Sequence, residues 1–363
     1  MRQRIQALDG LRFIAAMGVL WIHCWAIHGN PRCYVGKIDI SDFLALGGNG
    51  VDLFFVISGF CMYYFYASKN NFSYHDFYRF LLKRWFRLSP AFYASVVIYI
   101  VTANVFYNAR LNSINYFLHS LFYLNFIENK FIIAGHFWTL TVEWQFYFIV
   151  PFLLIYQNII GFKKTFILIF AAIYLTAIVS VLILQNHMDL LTYTILFRSV
   201  EFGCGILSGR LLLKKDFVLS NRVAWLVAFI AVTYLGRILV SNTILSLSAE
   251  FYNLFKLAGF TLMGFGFAGI LYLSVTSVKW LNLFLGNGLF KKMGRISYSF
   301  YLLHALIIPV VAQFVIQYAP DLKGISAPLV TMTISAVILY PLSLLSFNLF
   351  EKPFLSIGNL SSK

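Results

Sequence analysis

Long apolar runs separated by short, mostly basic stretches make up nearly the whole chain. A bilayer hydrocarbon core of about 30 Å requires about 20 predominantly apolar residues per helix. That template predicts ten spans, at 11–28, 50–67, 91–107, 138–156, 165–184, 192–213, 223–240, 254–274, 296–317 and 327–349. The shorter apolar stretch 114–127 reads as an interfacial or re-entrant helix. The expected fold is an all-α polytopic membrane protein. No internal repeat, low-complexity tract or long linker interrupts the pattern, so residues 1–363 are expected to form a single membrane-embedded domain with no soluble extra domain.

Composition strengthens this picture. The 363 residues are 60% hydrophobic and 11% charged, with a mean hydropathy of +0.79, whereas soluble domains carry about 25% charged residues. The formal charge of +15 does not point to nucleic acid, because the basic residues sit between spans, where they set orientation. With a cytoplasmic N-terminus, 19 of the 28 Lys and Arg fall in inner segments and five in outer loops. Both termini are therefore expected in the cytoplasm. Cys24, Cys33, Cys61 and Cys204 have neither metal-ligand spacing nor a disulfide framework, and no metal is expected. The first apolar stretch follows a signal-like MRQR but contains Arg12 and His23 and lacks a small-residue cleavage site, so it reads as a retained span.

Ionisable side chains at the bilayer centre cost at least about 2.5 kcal/mol, which makes each one a functional candidate. Arg12 and His23 share a face of the first span about 16 Å apart. Asp52 opens the second span and Glu143 lies near the start of the fourth, both at the expected depth of His23. A general base with an orienting carboxylate needs that convergence. Arg84 and Arg87, three apart on one helical face, could with Arg12 and Lys83 hold a phosphorylated cofactor through bidentate contacts. Ser297, Tyr301 and His304 line one face of the ninth span, and Arg198 with Glu201 reads as a structural ion pair. Plainer uses exist for each: Arg12 can snorkel, His23 can be a packing histidine, and the arginine pair can contact anionic lipid.

Read in order, these segments resemble the acyltransferase type 3 family of membrane acyltransferases. LDGLRFIAAMGVLWIH contains the family's Arg, ten residues, His spacing as Arg12 and His23. GVDLFFVISGF is similar to its next signature, RWFR supplies paired arginines, and WTLTVEWQFY resembles its Val-Glu-Glu-Gln-Phe-Tyr segment. Trp144 stands where the second glutamate is usual, leaving Glu143 as the sole carboxylate there. ISYSFYLLH and FEKPF complete the series.

The resemblance implies a ten-helix O-acyltransferase that takes an acyl group, acetyl above all, from acyl-CoA to a hydroxyl of a cell-surface or exported glycan. It implies acetyl-CoA as co-substrate, a glycan acceptor, membrane lipids as surroundings and a bacterial cytoplasmic (inner) membrane as location. Arg12, Arg84 and Arg87 become the expected contacts to CoA. His23 becomes the base or covalent acyl carrier, with Asp52 or Glu143 orienting it. Tyr301, His304 and Trp138 become the expected acceptor contacts, with Tyr301 and His304 also placed to polarise the thioester carbonyl. The competing readings are a proton-coupled transporter or flippase of a small or lipid-linked saccharide, since the same residue types build ion pathways, and a scaffold in which the charges specify helix pairing.

Overall fold

The computed structural model describes residues 5–67, 72–106, 108–109, 111, 113–124, 132–183, 192–214, 219–241, 249–276 and 279–360. Arg2, Arg4, Lys69, Arg110, Lys130, Lys215 and Lys363 from the charge tally, residues 125–127 of the interfacial stretch and the predicted span ends 107 and 184 lie outside them. The chain is almost entirely helical. The helices are α1 (Gln6–Ile27), α2 (Gly50–Tyr66), α3 (Tyr74–Phe106), α4 (Ser113–Leu121), α5 (Trp138–Ile160), α6 (Phe162–Ile183) and α7 (Ile195–Lys214). They continue as α8 (Arg222–Ser241), α9 (Ala249–Thr276), α10 (Lys279–Leu285), α11 (Gly288–Arg295), α12 (Ser297–Tyr318), α13 (Ser326–Ser346) and α14 (Lys352–Leu360). A π-helical turn, Phe347–Glu351, joins α13 to α14. A two-stranded antiparallel hairpin pairs Tyr34–Val35 with Ile38–Asp39 between α1 and α2.

Among the described residues, nine helical segments are long and apolar enough to cross a membrane. The predicted span at 192–213 is present as α7, but it carries Arg198, Glu201, Arg210 and Lys214 and falls outside that apolar set. Its charges are tolerated because α7 packs inside the bundle, against α2, α6 and α9. The third span also differs from expectation. Ser89-Pro90 reads as a boundary in sequence, yet α3 runs through Pro90 for 33 residues, about 50 Å, well beyond a 30 Å hydrocarbon core. Arg84 and Arg87 consequently ride on the same continuous helix as Tyr99.

Lipid and protein faces separate cleanly. On α6 the side chains of Ile167, Leu168, Leu175, Val179 and Leu182 are exposed, as a lipid-facing surface requires. The interior is aromatic. Phe55, Phe146 and Phe202 stack at centroid distances of 4.7 and 4.0 Å, joining α2, α5 and α7. There α2 and α7 touch backbone to backbone: a Cβ at Gly59 would collide with the Phe202 carbonyl, and one at Gly205 with the Val56 carbonyl. Small residues bring membrane helices this close. Helix α1 packs against α2, α11, α12 and α13.

Candidate active site

At one end of α1, Arg12 donates to Asp9 Oδ1 and to Cys61 Sγ, both at 3.3 Å. Arg84 donates to the Tyr66 hydroxyl at 2.9 Å and lies 5.5–5.9 Å from the ring centres of Tyr66, Phe80 and Tyr147. Its Nε is buried without a partner. Arg87 is within electrostatic reach of both Arg12 and Arg84, so three guanidinium groups from two helices converge. Arg87 is nevertheless exposed, with charged neighbours beside it. Besides Asp9, a second carboxylate is Glu351, buried in the π turn, which accepts from Ser299 Oγ and feels the charge of Arg87. A π turn widens a helix locally and is often found at functional sites; here it places a carboxylate beside the arginines.

The other end holds three histidines. His23 and His304 approach with ring centroids 5.0 Å apart, and His136 lies edge-on to His304 at 4.5 Å. His304 and His136 are buried, whereas His23 is exposed on the same α1 face as Arg12. Each buried ring is tied to a main-chain carbonyl of α12: His304 Nδ1 to Tyr301 O at 2.5 Å, and His136 Nε2 to Leu302 O at 3.3 Å. Since carbonyls only accept, these nitrogens carry the protons. The remaining nitrogens, His304 Nε2 and His136 Nδ1, are buried lone pairs without a partner. The Tyr301 hydroxyl donates to the His136 carbonyl at 2.8 Å and meets Thr139 Oγ1 at 2.8 Å, fixing α12 against the start of α5.

Glu143 lies between these ends. Its Oε1 accepts from Tyr147, 2.5 Å away and one turn toward the arginines, and from Ser58 at 3.0 Å. It is within electrostatic reach of Tyr301 on the histidine side. Two helices set the same interval: about 16 Å from Arg12 to His23 on α1, and about 18 Å from Arg87 to Tyr99 on α3. Tyr99 stands 5.9 Å from His136, so the second measure ends at the same cluster.

The expected carboxylate partners of His23 are engaged elsewhere. Asp52 accepts from Arg198 at 2.7 Å and from Asn49 Nδ2 at 3.0 Å, and Arg198 also donates to Glu201 at 2.9 Å. The guanidinium lies 3.8 Å from the centre of the Phe260 ring. In a low-dielectric interior a buried arginine captures the nearest carboxylates, and Arg198 captures two. Trp138 belongs to this cluster, 5.2 Å from Arg198, while its neighbour Thr139 reaches Tyr301. Arg12, Arg84 and Arg87 are brought together, as are His23, Tyr301 and His304; Asp52 and Trp138 are instead grouped around Arg198.

The profile of the acyltransferase type 3 family, described as an acyltransferase domain, matches residues 5–347. The chain belongs to that family. No curated protein and no solved structure matches it. This membrane acyltransferase has an arginine cluster and a histidine cluster, with Glu143 between them. Sequence reasoning overlooked His136, because the apolar template began the span at Trp138 and left it in the preceding loop; a polar residue two positions before the Trp-Thr-Leu segment was the available signal. Trp144, in place of a second glutamate, packs against Tyr123 and Tyr147 as a buried aromatic wall.

Proposed function

We propose that this acyltransferase moves an acyl group, acetyl above all, from cytoplasmic acyl-CoA to a hydroxyl of a glycan on or bound for the cell surface, in a bacterial cytoplasmic membrane. The observation that carries the reading is the separation of an arginine end from a histidine end by about 16 Å along one helix face. A donor whose charge and reactive atom lie at opposite ends of a long arm requires that arrangement. Arg12, Arg84 and Arg87 hold the phosphates, with Arg87 the freest to do so. The positive-inside bias supports a cytoplasmic position for this end.

At the far end His23 acts as general base. The acceptor oxygen attacks the thioester carbonyl carbon while its proton passes to His23. The carbon–sulfur bond then breaks, and the departing thiolate takes the proton from the imidazolium, leaving an O-acyl glycan and free CoA thiol. Glu143, on the path between the ends, keeps Tyr147 and Ser58 in place along the donor arm. Asp52 serves helix assembly through Arg198.

The test is release of CoA thiol from acetyl-CoA by purified protein in nanodiscs, with mixed cell-envelope glycans as acceptor. Glycan-dependent release by wild type and none by folded His23→Ala is the expected result. Equal release by both proteins would overturn the role of His23, and binding of glycan without any use of acetyl-CoA would overturn the donor.

A further inference from the structure

With Asp52 held by Arg198 and Glu143 by Tyr147 and Ser58, neither expected carboxylate is free for His23, and the group against it among the described residues is another imidazole. We propose that His304 is the positioning residue for His23: its Nε2 lone pair accepts the ring N–H of His23, leaving the opposite nitrogen of His23 to take the acceptor proton. This rests on the reading of His23 as the base.

Three observations support it. The Tyr301 carbonyl holds the His304 proton on Nδ1, so a neutral His304 can only accept at Nε2. It has no N–H there to polarise a thioester carbonyl, which removes one of the roles its sequence position suggested. That Nε2 is buried without a partner in a residue only 1% exposed, and an unmet buried acceptor is costly enough to demand one. Finally, the two rings are 5.0 Å apart between centroids and not yet hydrogen-bonded, close enough for a turn of the exposed His23 ring to bring its N–H to His304 Nε2, and such bonds often close only in the Michaelis complex. His136 and Tyr301, at 4.5 and 5.5 Å, lie against the His304 ring and leave it little freedom to turn.

In the reaction, His23 becomes the imidazolium after accepting the hydroxyl proton, and its second N–H remains bonded to His304. That bond spreads the charge while the first proton is passed to the thiolate. No net proton stays on either ring.

The experiment compares wild type, His304→Phe, His304→Gln and His23→Ala by thiol release from acetyl-CoA with mixed cell-envelope glycans, alongside thermal unfolding. Phenylalanine keeps the ring shape without a lone pair, and glutamine offers an acceptor oxygen near the Nε2 position. His304→Phe is expected to lower kcat by about 100-fold or more with KM for acetyl-CoA changed by no more than about twofold, and His304→Gln to recover at least about tenfold of that loss. A folded His304→Phe with near wild-type kcat, beside an inactive His23→Ala, would overturn this inference alone. Glutamine no better than phenylalanine, both folded, would do the same. Wild-type turnover by His23→Ala would instead overturn the parent reading.

Discussion

Two clusters built on arginine contrast a charge matched inside the protein with a surplus of charge left partly open, which the proposed function uses to hold a donor. Around Arg198 the charge is matched within the protein by two carboxylates at 2.7 and 2.9 Å, with an asparagine behind one of them and an aromatic ring beneath the guanidinium, although Arg198 Nε and Glu201 Oε2 have no hydrogen-bond partner among the described residues. Around Arg87 three cations crowd together with Glu351 and Asp9 as the neighbouring carboxylates, and Arg87 itself stands open. Like charges so placed repel, and two carboxylates offset only part of that repulsion. A charge-matched cluster reads as structure; one with surplus positive charge is, on the proposed function, the place for an anion.

The contrast is broken most severely at Arg198. Arg198→Met leaves Asp52 and Glu201 buried without a counter-charge and is expected to destabilise the fold by about 3–5 kcal/mol, read as a large drop in the thermal midpoint or loss of folded protein from the membrane. Arg87→Ala is expected to do the opposite kind of damage. Stability stays close to wild type because a repulsion is relieved, while KM for acetyl-CoA rises by about ten- to a hundredfold, the worth of a charged hydrogen-bond pair. Glu201→Gln sharpens the reading of the charge-matched cluster: two carboxylates share one guanidinium, so removing the surplus charge is expected to change stability by no more than about 1 kcal/mol, against the large loss in Arg198→Met.

A smaller effect belongs to His28, just beyond α1, whose Nε2 meets Thr331 Oγ1 at 2.8 Å and ties α1 to α13. Partial burial holds its imidazole below the usual 6.5. The unfolded chain then binds the proton first, so this link is fully present above about pH 6.5 and weakens as pH falls through that value. The thermal midpoint of wild type is expected to fall slightly more than that of His28→Gln between pH 7.5 and pH 5.5, as a test of buffer range.

Most helices were legible because a bilayer demands long apolar runs, and nothing else in a chain of this size produces them. Helix α7 shows the limit of that signal: it was found by its overall hydrophobicity, although its charges set it apart from the lipid-facing spans. The Arg198–Glu201 pair was legible because i, i+3 neighbours on a helix must meet. Asp52 was misread as a partner of His23, since span depth gives height in the membrane but not rotation, and rotation delivers its side chain to α7. The approach of His304 to His23 is likewise a fact of packing between α1 and α12. His136 escaped notice altogether, being buried by a short 3₁₀ turn that no apolar run announces.

The division of labour between the two ends is tested most directly by equilibrium binding of acetyl-CoA to His23→Ala and Arg87→Ala in nanodiscs, measured side by side with thiol release. His23→Ala should bind within about twofold of wild type and release nothing, while Arg87→Ala should bind about ten- to a hundredfold more weakly. Unchanged binding by Arg87→Ala, or binding lost in a folded His23→Ala, would contradict the assignment of donor capture to the arginines and chemistry to the histidines.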